Sequence, residues 1–251
     1  MRCVVRRDFV DIHCHILPGL DDGSRNWEMT EKMLHMELDQ GVCGMIVTPH
    51  FWKGRWTAPP EKVRELASQL EERGRKIRPD FFVSVGNEIK YYGPTSVELV
   101  KDGSCLTMGD TKYVLLEFSY ECSLSDIETA VNQVRTKGYR PILAHVERYK
   151  CLLKEYDELD HLIRRGAYLQ VNAESLNDGG LGSRLFGEGA FIKKLLQYQM
   201  IHLVGTDAHN DENRAPNMDR AAAWLQKKIG EAETRKLLYD NPLSLLKNEY
   251  L

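Results

Sequence analysis

Apolar runs alternate with amphipathic stretches along most of the chain. Seven runs are short and almost continuously apolar, as is typical of strands buried on both faces of a parallel sheet. These predicted strands are residues 9–13, 44–48, 81–85, 113–118, 141–145, 168–172 and 201–206. Because helical stretches separate them, the pattern predicts a single α/β barrel-like domain over residues 1–251, with an open doubly wound sheet as the alternative.

The helical stretches carry recognisable start and stop signals. Residues 26–40 have Ser24 near their start and Gly41 directly after them, which reads as a pair of caps. Residues 60–75 begin with a proline in the first turn. The other predicted helices are a weak, short one at 94–101, then 125–137, 157–165, 189–199, 219–228, and one or two helices over 231–250, interrupted at Pro242.

Composition and charge exclude several classes of protein. The net charge is −3 and no basic stripe with interleaved aromatics occurs, so we expect no nucleic-acid partner. No apolar run approaches the length of a membrane helix, and the N-terminus lacks an export-signal pattern, so we expect a cytoplasmic protein without membrane insertion. The cysteines form no C-x-x-C pair and are expected to be reduced. They are Cys3, Cys14, Cys43, Cys105, Cys122 and Cys151.

Each predicted strand ends in a polar side chain, and most of these can bind a metal ion. In α/β barrels the carboxyl ends of the strands form the active site. Within the first strand's end, His13 and His15 are two residues apart, so both point to the same face. The ends and the loops after them carry His13, His15, Asp21, Asp22, His50, Glu88, Glu117, His145, Arg148, Asn172, Asp207 and His209.

One buried histidine or carboxylate is most often a paired core residue, but so many at one end indicate a metal centre. Imidazoles and carboxylates without thiolates favour manganese, iron or zinc over magnesium alone. The five histidines and four carboxylates of this set are too many ligands for one ion and fit two or three ions. The four carboxylates are Asp22, Glu88, Glu117 and Asp207. Three divalent ions would outweigh four carboxylates, and Arg148 and Arg214 would add positive charge. Such a site suits hydrolysis of a phosphoester.

The ordered motifs DIHCHILPGLDDG, TPH, GNEI, LLEF, AHVERY and GTDAHN resemble those of the polymerase and histidinol phosphatase (PHP) superfamily. The motifs LDDG, HxERY and DAHNxxxR are more specifically similar to the bacterial manganese-dependent tyrosine-protein phosphatases of capsule and exopolysaccharide synthesis. The resemblance covers nearly the whole chain. It implies a distorted seven-stranded (β/α)7 barrel and a site of three Mn²⁺ ions.

The resemblance also implies roles for individual residues. The first ion would be held by His13, His15, Glu88 and Asp207, the second by Glu88, Glu117 and His145, and the third by Asp22, His50 and His209. Arg148 and Arg214 match the family's phosphate-contacting arginines. A metal-activated hydroxide would attack phosphorus and a tyrosine phenolate would leave. The implied substrate is the phosphorylated tyrosine cluster at the tail of a cognate bacterial tyrosine kinase.

Several points stay open at the level of sequence. Residues 51–56, FWKGRW, either line an open mouth for a phosphopeptide or pack as a loop on the rim, and the same holds for Tyr91 and Tyr92. Residues 1–8 precede the usual start of the pattern, and Pro18 and Leu20 depart from the usual first loop. A homo-oligomer is also left open.

Other enzyme classes compete with the metal-dependent phosphatase. A cysteine-based tyrosine phosphatase is excluded, because no cysteine has an arginine six residues later. A PHP-type phosphatase of a small metabolite, such as histidinol phosphate, is the main alternative. A nuclease lacks the basic stripe. A catalytically inactive binding module is disfavoured because all nine ligands are present.

Overall fold

The computed structural model describes residues 8–177 and 188–251. Within these ranges it contains short strands that alternate with helices, as the apolar pattern predicts. The strands are β1 (Phe9–Cys14), β2 (Val42–Val47), β3 (His50–Phe51), β4 (Phe82–Val85), β5 (Glu88–Lys90), β6 (Tyr113–Glu117), β7 (Arg140–Leu143), β8 (Tyr168–Asn172) and β9 (Leu203–Gly205).

All these strands pair in parallel. One sheet has the order β1-β2-β4, and the other has the order β3-β5-β6-β7-β8-β9 and curls into a half-barrel of six strands. A parallel bridge between Cys14 and Ala208 continues from β1 to the segment after β9. The backbone N–H of Asp207 also donates to the carbonyl of His13 at 2.7 Å. The fold is therefore α/β with a curled parallel sheet, and no pattern in the sequence predicted the short strands β3 and β5.

The helices lie close to their predicted positions. They are α1 (Trp27–Asp39), α2 (Pro60–Ile77), α3 (Pro94–Lys101), α4 (Leu124–Thr136), α5 (Tyr156–Arg164), α6 (Glu188–Gln197), α7 (Met218–Arg235) and α8 (Asn241–Leu246).

Two helices differ in detail from the prediction. The N-cap of α1 is Asn26 rather than Ser24, because the Asn26 side chain accepts a hydrogen bond from the Met29 N–H at 3.0 Å. Pro242 is the second residue of α8, where a proline removes no helical hydrogen bond, so the break predicted there coincides with the start of a new helix. A second interruption, which the sequence did not predict, lies at Gly230, which has a φ of 82° inside α7.

The strands at the centre of the molecule are buried along their whole length. Every residue of β1, β2, β7 and β8 is inaccessible or nearly so. The contact between β1 and β9 is especially close, because a Cβ atom added to Gly205 would lie 2.5 Å from the Cβ of His13. Only glycine allows this approach, which places the ends of the first and last strands side by side.

No helix within residues 8–177 and 188–251 combines the length and the apolar character that a membrane crossing requires.

Candidate metal centre

The first strand presents its two histidines as the two-residue period requires. The rings of His13 and His15 lie 5.4 Å apart between centroids, and their Nε2 atoms are 3.3 Å apart. Cys14, between them, belongs to the hydrophobic core. Both histidines are buried, so β1 delivers two imidazoles to one enclosed place.

A first group of ligand atoms forms around these two histidines. His13 Nε2 lies 3.4 Å from a Glu88 carboxylate oxygen and 3.6 Å from one of Asp207. The corresponding distances from His15 Nε2 are 3.3 and 3.4 Å. One ligand atom from each of these four residues lies within 4.8 Å of the others. The group has the composition that the resemblance implies for one ion.

A second group joins the loop after β1 to the last motif. Asp22 Oδ1 lies 3.4 Å from His50 Nε2 and 3.6 Å from His209 Nε2. The ring centroid of His15 is 3.9 Å from that of His209, so His15 borders this group as well as the first. Asp22 is the most exposed of these residues, with 46% of its side chain accessible, and therefore lies at the open side.

A third group is arranged around Glu88. His50 Nδ1 lies 2.9 Å from Glu88 Oε2 and 4.0 Å from Glu117 Oε2, whereas His145 Nε2 contacts Glu88 Oε1 at 2.9 Å. All nine predicted ligands thus lie in one continuous cluster. His50 stands between the second and third groups, so the assignment of individual ligands to ions stays a prediction.

Several buried atoms of the cluster make no well-directed hydrogen bond among the described residues, even where another charged or ligand atom lies close, as His50 Nδ1 does to Glu88 Oε2 at 2.9 Å. Polar atoms that are buried without a partner are costly, and convergent lone pairs on nitrogen and oxygen are what a divalent cation binds. The residues present therefore fit metal ions. The atoms are His50 Nδ1, Glu88 Oε2, Glu117 Oε2, His145 Nδ1 and His209 Nε2.

The acids and imidazoles shift each other's pKa values. Burial acts to raise the pKa of Glu88, but His13 and His50 hold it well below its usual value. Burial acts to lower the pKa of His50, but Glu88 raises it to about 9. At His209, burial and the neighbouring His15 lower the pKa to about 3. The Glu88 carboxylate is therefore ionised at neutral pH and needs cations beside it.

Neighbouring polar side chains fix the orientation of the ligands. Asp21 Oδ2 accepts from His15 Nδ1 and from the His50 N–H, both at 2.8 Å, which leaves His15 Nε2 directed at the cluster. Gln170 Oε1 lies 3.1 Å from His13 Nδ1 and accepts from the His145 N–H at 2.8 Å. Sequence reasoning missed Gln170, although a polar residue inside a buried strand is a detectable signal.

Two arginines face the cluster. Arg148 Nη1 and Arg214 Nη2 lie 3.0 and 2.9 Å from the same oxygen of Asp207, Oδ2. The Asn172 amide donates to that oxygen at 2.8 Å. Both guanidinium groups line a cavity of about 280 Å³ together with the cluster. They are placed to bind an anion that enters this cavity.

The 51–56 segment combines both predicted alternatives. Phe51 is buried in the core, whereas Trp52, Arg55 and Trp56 line the cavity.

Tyr91 and Tyr92, which the sequence left open in the same way, have different environments. The Tyr91 hydroxyl donates to Gln133 at 2.8 Å, which is a structural role, while Tyr92 is half exposed beside Trp52. Neither Pro18 nor Leu20 is among the residues that line this cavity. Residues 1–7, the greater part of the segment that precedes the usual pattern, lie outside the described residues.

A family model for capsular polysaccharide synthesis proteins, CpsB/CapC, matches residues 9–247. The chain belongs to the CpsB/CapC family. It is 35% identical over 240 residues to the tyrosine-protein phosphatase YwqE of Bacillus subtilis, covering 96% of this chain and 92% of YwqE. It is 31% identical to the tyrosine-protein phosphatase CpsB of Streptococcus pneumoniae, covering 96% of this chain and all of CpsB.

The CpsB/CapC assignment agrees with the fold. A crystal structure from work on YwqE of Bacillus subtilis and CpsB of Streptococcus pneumoniae, described as metal-dependent tyrosine phosphatases, matches with a TM-score of 0.83 at 33% identity. The match covers 96% of this chain and 95% of that one. Dihydropyrimidinase from Brevibacillus agri matches with a TM-score of 0.57 at 9% identity, over 96% of this chain and 70% of that one, which shows a shared fold alone.

Proposed function

We propose that this protein is a metal-dependent protein-tyrosine phosphatase that acts on a bacterial tyrosine kinase controlling capsule or exopolysaccharide synthesis. The observation that carries the proposal is the enclosed cluster of imidazoles and carboxylates, with two arginines beside it. The CpsB/CapC relatives that match over nearly the whole chain support the substrate class.

The chain's own residues would bind and orient the phosphoryl group. The proposed ligands are His13, His15, Asp22, His50, Glu88, Glu117, His145, Asp207 and His209. When bound, divalent ions activate water and stabilise negative charge. Arg148 and Arg214 would bind the phosphoryl oxygens, because each can turn a guanidinium edge from Asp207 to the substrate. The phenolate is a good leaving group, so a strong general acid is not required.

The ions are proposed to be three Mn²⁺, held as the family pattern implies, with iron or zinc as the other metals that this ligand set accepts. Elemental analysis of the purified protein tests this assignment. Two or fewer equivalents of metal at saturation, or a preference for magnesium, would contradict it.

The activity test compares two conditions, added Mn²⁺ and a chelator, and three substrates. We expect turnover of p-nitrophenyl phosphate with added Mn²⁺ and none with a chelator. We also expect kcat/KM for a phosphotyrosine peptide to exceed that for histidinol phosphate. A preference above about tenfold for histidinol phosphate would overturn the substrate class in favour of a metabolite phosphatase. Absence of metal-dependent turnover would favour an inactive binding module.

Two finer points belong to the same proposal. We take β2 with β3, and β4 with β5, as two interrupted strands of a distorted seven-stranded barrel, which the Cys14–Ala208 bridge supports. We place the protein in the cytoplasm. An experimental structure and cell fractionation test these two points.

A further inference from the structure

Arg55 lies at the mouth of the metal-site cavity, where no carboxylate of the described residues pairs with its positive charge. Its guanidinium carbon lies 3.9 Å from the ring centroid of Trp56 and 4.8 Å from that of Trp52. Among residues 8–177 and 188–251, no carboxylate forms an ion pair with Arg55. Arg148 and Arg214, in contrast, both contact Asp207. The two tryptophans, rather than an acid, hold this cation in place.

The local backbone fixes the two tryptophans before any substrate binds. The N–H of Trp52 donates to the carbonyl of Trp56 at 2.7 Å, and the N–H of Trp56 donates back at 2.9 Å. Gly54, with a φ of 86°, allows the tight turn between them. Trp56 also stacks on His50, with centroids 5.1 Å apart and planes inclined by 10°. Trp52, Arg55 and Trp56 therefore form a wall of the cavity that begins at a proposed metal ligand, His50, and ends at the solvent.

The position of the wall matches the far end of an aryl phosphate. A phosphoryl group held at the metal cluster by Arg148 and Arg214 leaves its aromatic ring to extend towards the mouth. The wall of Trp52, Arg55 and Trp56 lines that mouth. A guanidinium group that lies on an aromatic face can still offer its second face to another ring.

We propose that Arg55, held by Trp52 and Trp56, is a specificity-determining residue that binds the aromatic ring of phosphotyrosine. This inference rests on the proposed phosphatase function. It assigns to Arg55 a contact with the ring, which is distinct from the contacts that Arg148 and Arg214 make with the phosphoryl group. It predicts that Arg55 discriminates aryl from ring-free phosphates.

The test measures binding to the Mn²⁺-loaded full chain by calorimetry with two probes. Phenylphosphonate carries a ring and a phosphoryl-like group and is not hydrolysed at its P–C bond, whereas inorganic phosphate has no ring. Arg55→Gln and Trp52→Ala should each raise the Kd of phenylphosphonate by about two- to fivefold and leave the Kd of phosphate unchanged. Arg220→Gln, an exposed arginine outside the cavity, is the matched control.

A kinetic readout gives a second, independent check. Arg55→Gln should raise KM for a phosphotyrosine peptide by a similar factor and leave kcat nearly unchanged, since the ring contact is the same in the ground and transition states.

The possible outcomes separate this inference from the proposed function. If Arg55→Gln weakens phosphate and phenylphosphonate equally, Arg55 binds the phosphoryl group and the ring contact is wrong. If neither Kd changes, or if wild-type protein binds neither probe, the inference is also wrong. If both probes bind as expected but no phosphotyrosine is hydrolysed, the proposed function fails while the ring contact stands.

Discussion

At the scale of single residues, charge inside apolar runs is the signal that predicted the site. Histidines and carboxylates at buried strand ends are costly unless they bind something, so their positions can be found from the sequence. Glu88 and His145 illustrate this, since both are buried and in contact at 2.9 Å. The sequence did not indicate a role for Gln170, because a neutral amide is less costly to bury than a charged group. In the structure, Gln170 contacts His13 and the backbone of His145.

Substitution of His50 is the most direct test of the metal centre. His50 lies against Glu88 and Asp22, between two groups of ligand atoms. His50→Ala should lower the Mn²⁺-dependent turnover of p-nitrophenyl phosphate by at least about 100-fold, because it removes a ligand from the cluster. Its circular dichroism spectrum should stay that of the wild type. His161→Ala, an exposed histidine on α5, is the control, and near-full activity of His50→Ala would show the ligand set to be wrong.

The carboxyl group of Glu37, which is not a proposed metal ligand, should make the stability of the protein depend on pH. It is fully buried on α1, and burial, followed by the charge of Asp11, raises its pKa well above 4.5. The folded protein therefore holds a proton that the unfolded chain releases as the pH rises, so this carboxyl group lowers stability progressively above about pH 4.5. Glutamine cannot ionise, so Glu37→Gln removes this dependence.

Urea unfolding at pH 5 and pH 8 measures the effect. The free energy of unfolding of Glu37→Gln, relative to wild type, should be higher at pH 8 than at pH 5. Glu31→Gln is the control, because Glu31 is on the same helix, is about half exposed and pairs with Arg73. A relative stability that does not change with pH would show that Glu37 is ionised in the folded protein.

At the scale of elements, the apolar runs predicted the longer strands and most of the helices, and failed where an element is too short to have a pattern. Strands β3 and β5 have two and three residues. They exist because they pair with each other, and β5 also pairs with β6, which no local sequence can indicate. Pro49 precedes β3, and the Asn87 amide donates to its carbonyl at 2.8 Å. Tertiary pairing therefore decides these elements.

The close contact between β1 and β9 predicts that adding a single methyl group at Gly205 would destabilise the protein. In Gly205→Ala the new Cβ would meet the Cβ of His13 at 2.5 Å and its backbone nitrogen at 3.0 Å, so β1 must move. We expect a loss of about 1–3 kcal/mol in the free energy of unfolding and weaker Mn²⁺ binding, because His13 moves with the strand.

Gly138→Ala is the control for this substitution. Gly138 has a φ of 85°, and a methyl group added there would have no atom within 4 Å among the described residues, so only backbone strain of about 1 kcal/mol is expected. Mn²⁺ binding should be unaffected. Equal Mn²⁺ affinity of the Gly205→Ala variant and wild type would show that the close approach of β1 and β9 does not hold the site in place.

At the scale of the whole molecule, parallel strands explain why residues distant in sequence meet. Asp207 and His13 stand almost at opposite ends of the chain, yet lie 3.6 Å apart. The rule that active sites form at the carboxyl ends of strands predicted their convergence. The rule gives no distances between side chains, and the grouping of the ligands came from the resemblance alone. The resemblance implies that His50 binds one ion together with Asp22 and His209. In the structure, its two ring nitrogens face Asp22 and Glu88, which belong to different groups. Side-chain reach across the curled sheet decides the grouping.

Because the cluster joins both ends of the chain, metal removal should affect the stability of the whole fold. An ion that binds only the folded protein stabilises it by about 2.7 kcal/mol when the free ion concentration is 100 times its Kd. For a chain of this size, that free energy corresponds to an increase of roughly 5–10 °C in Tm. Thermal unfolding with Mn²⁺ and with a chelator measures this difference. In Asp207→Ala the shift should be smaller, since a ligand of the first ion is missing, while His161→Ala should keep it. An identical Tm with Mn²⁺ and with chelator would mean that the clustered acids and imidazoles do not hold metal ions across the two ends of the sheet.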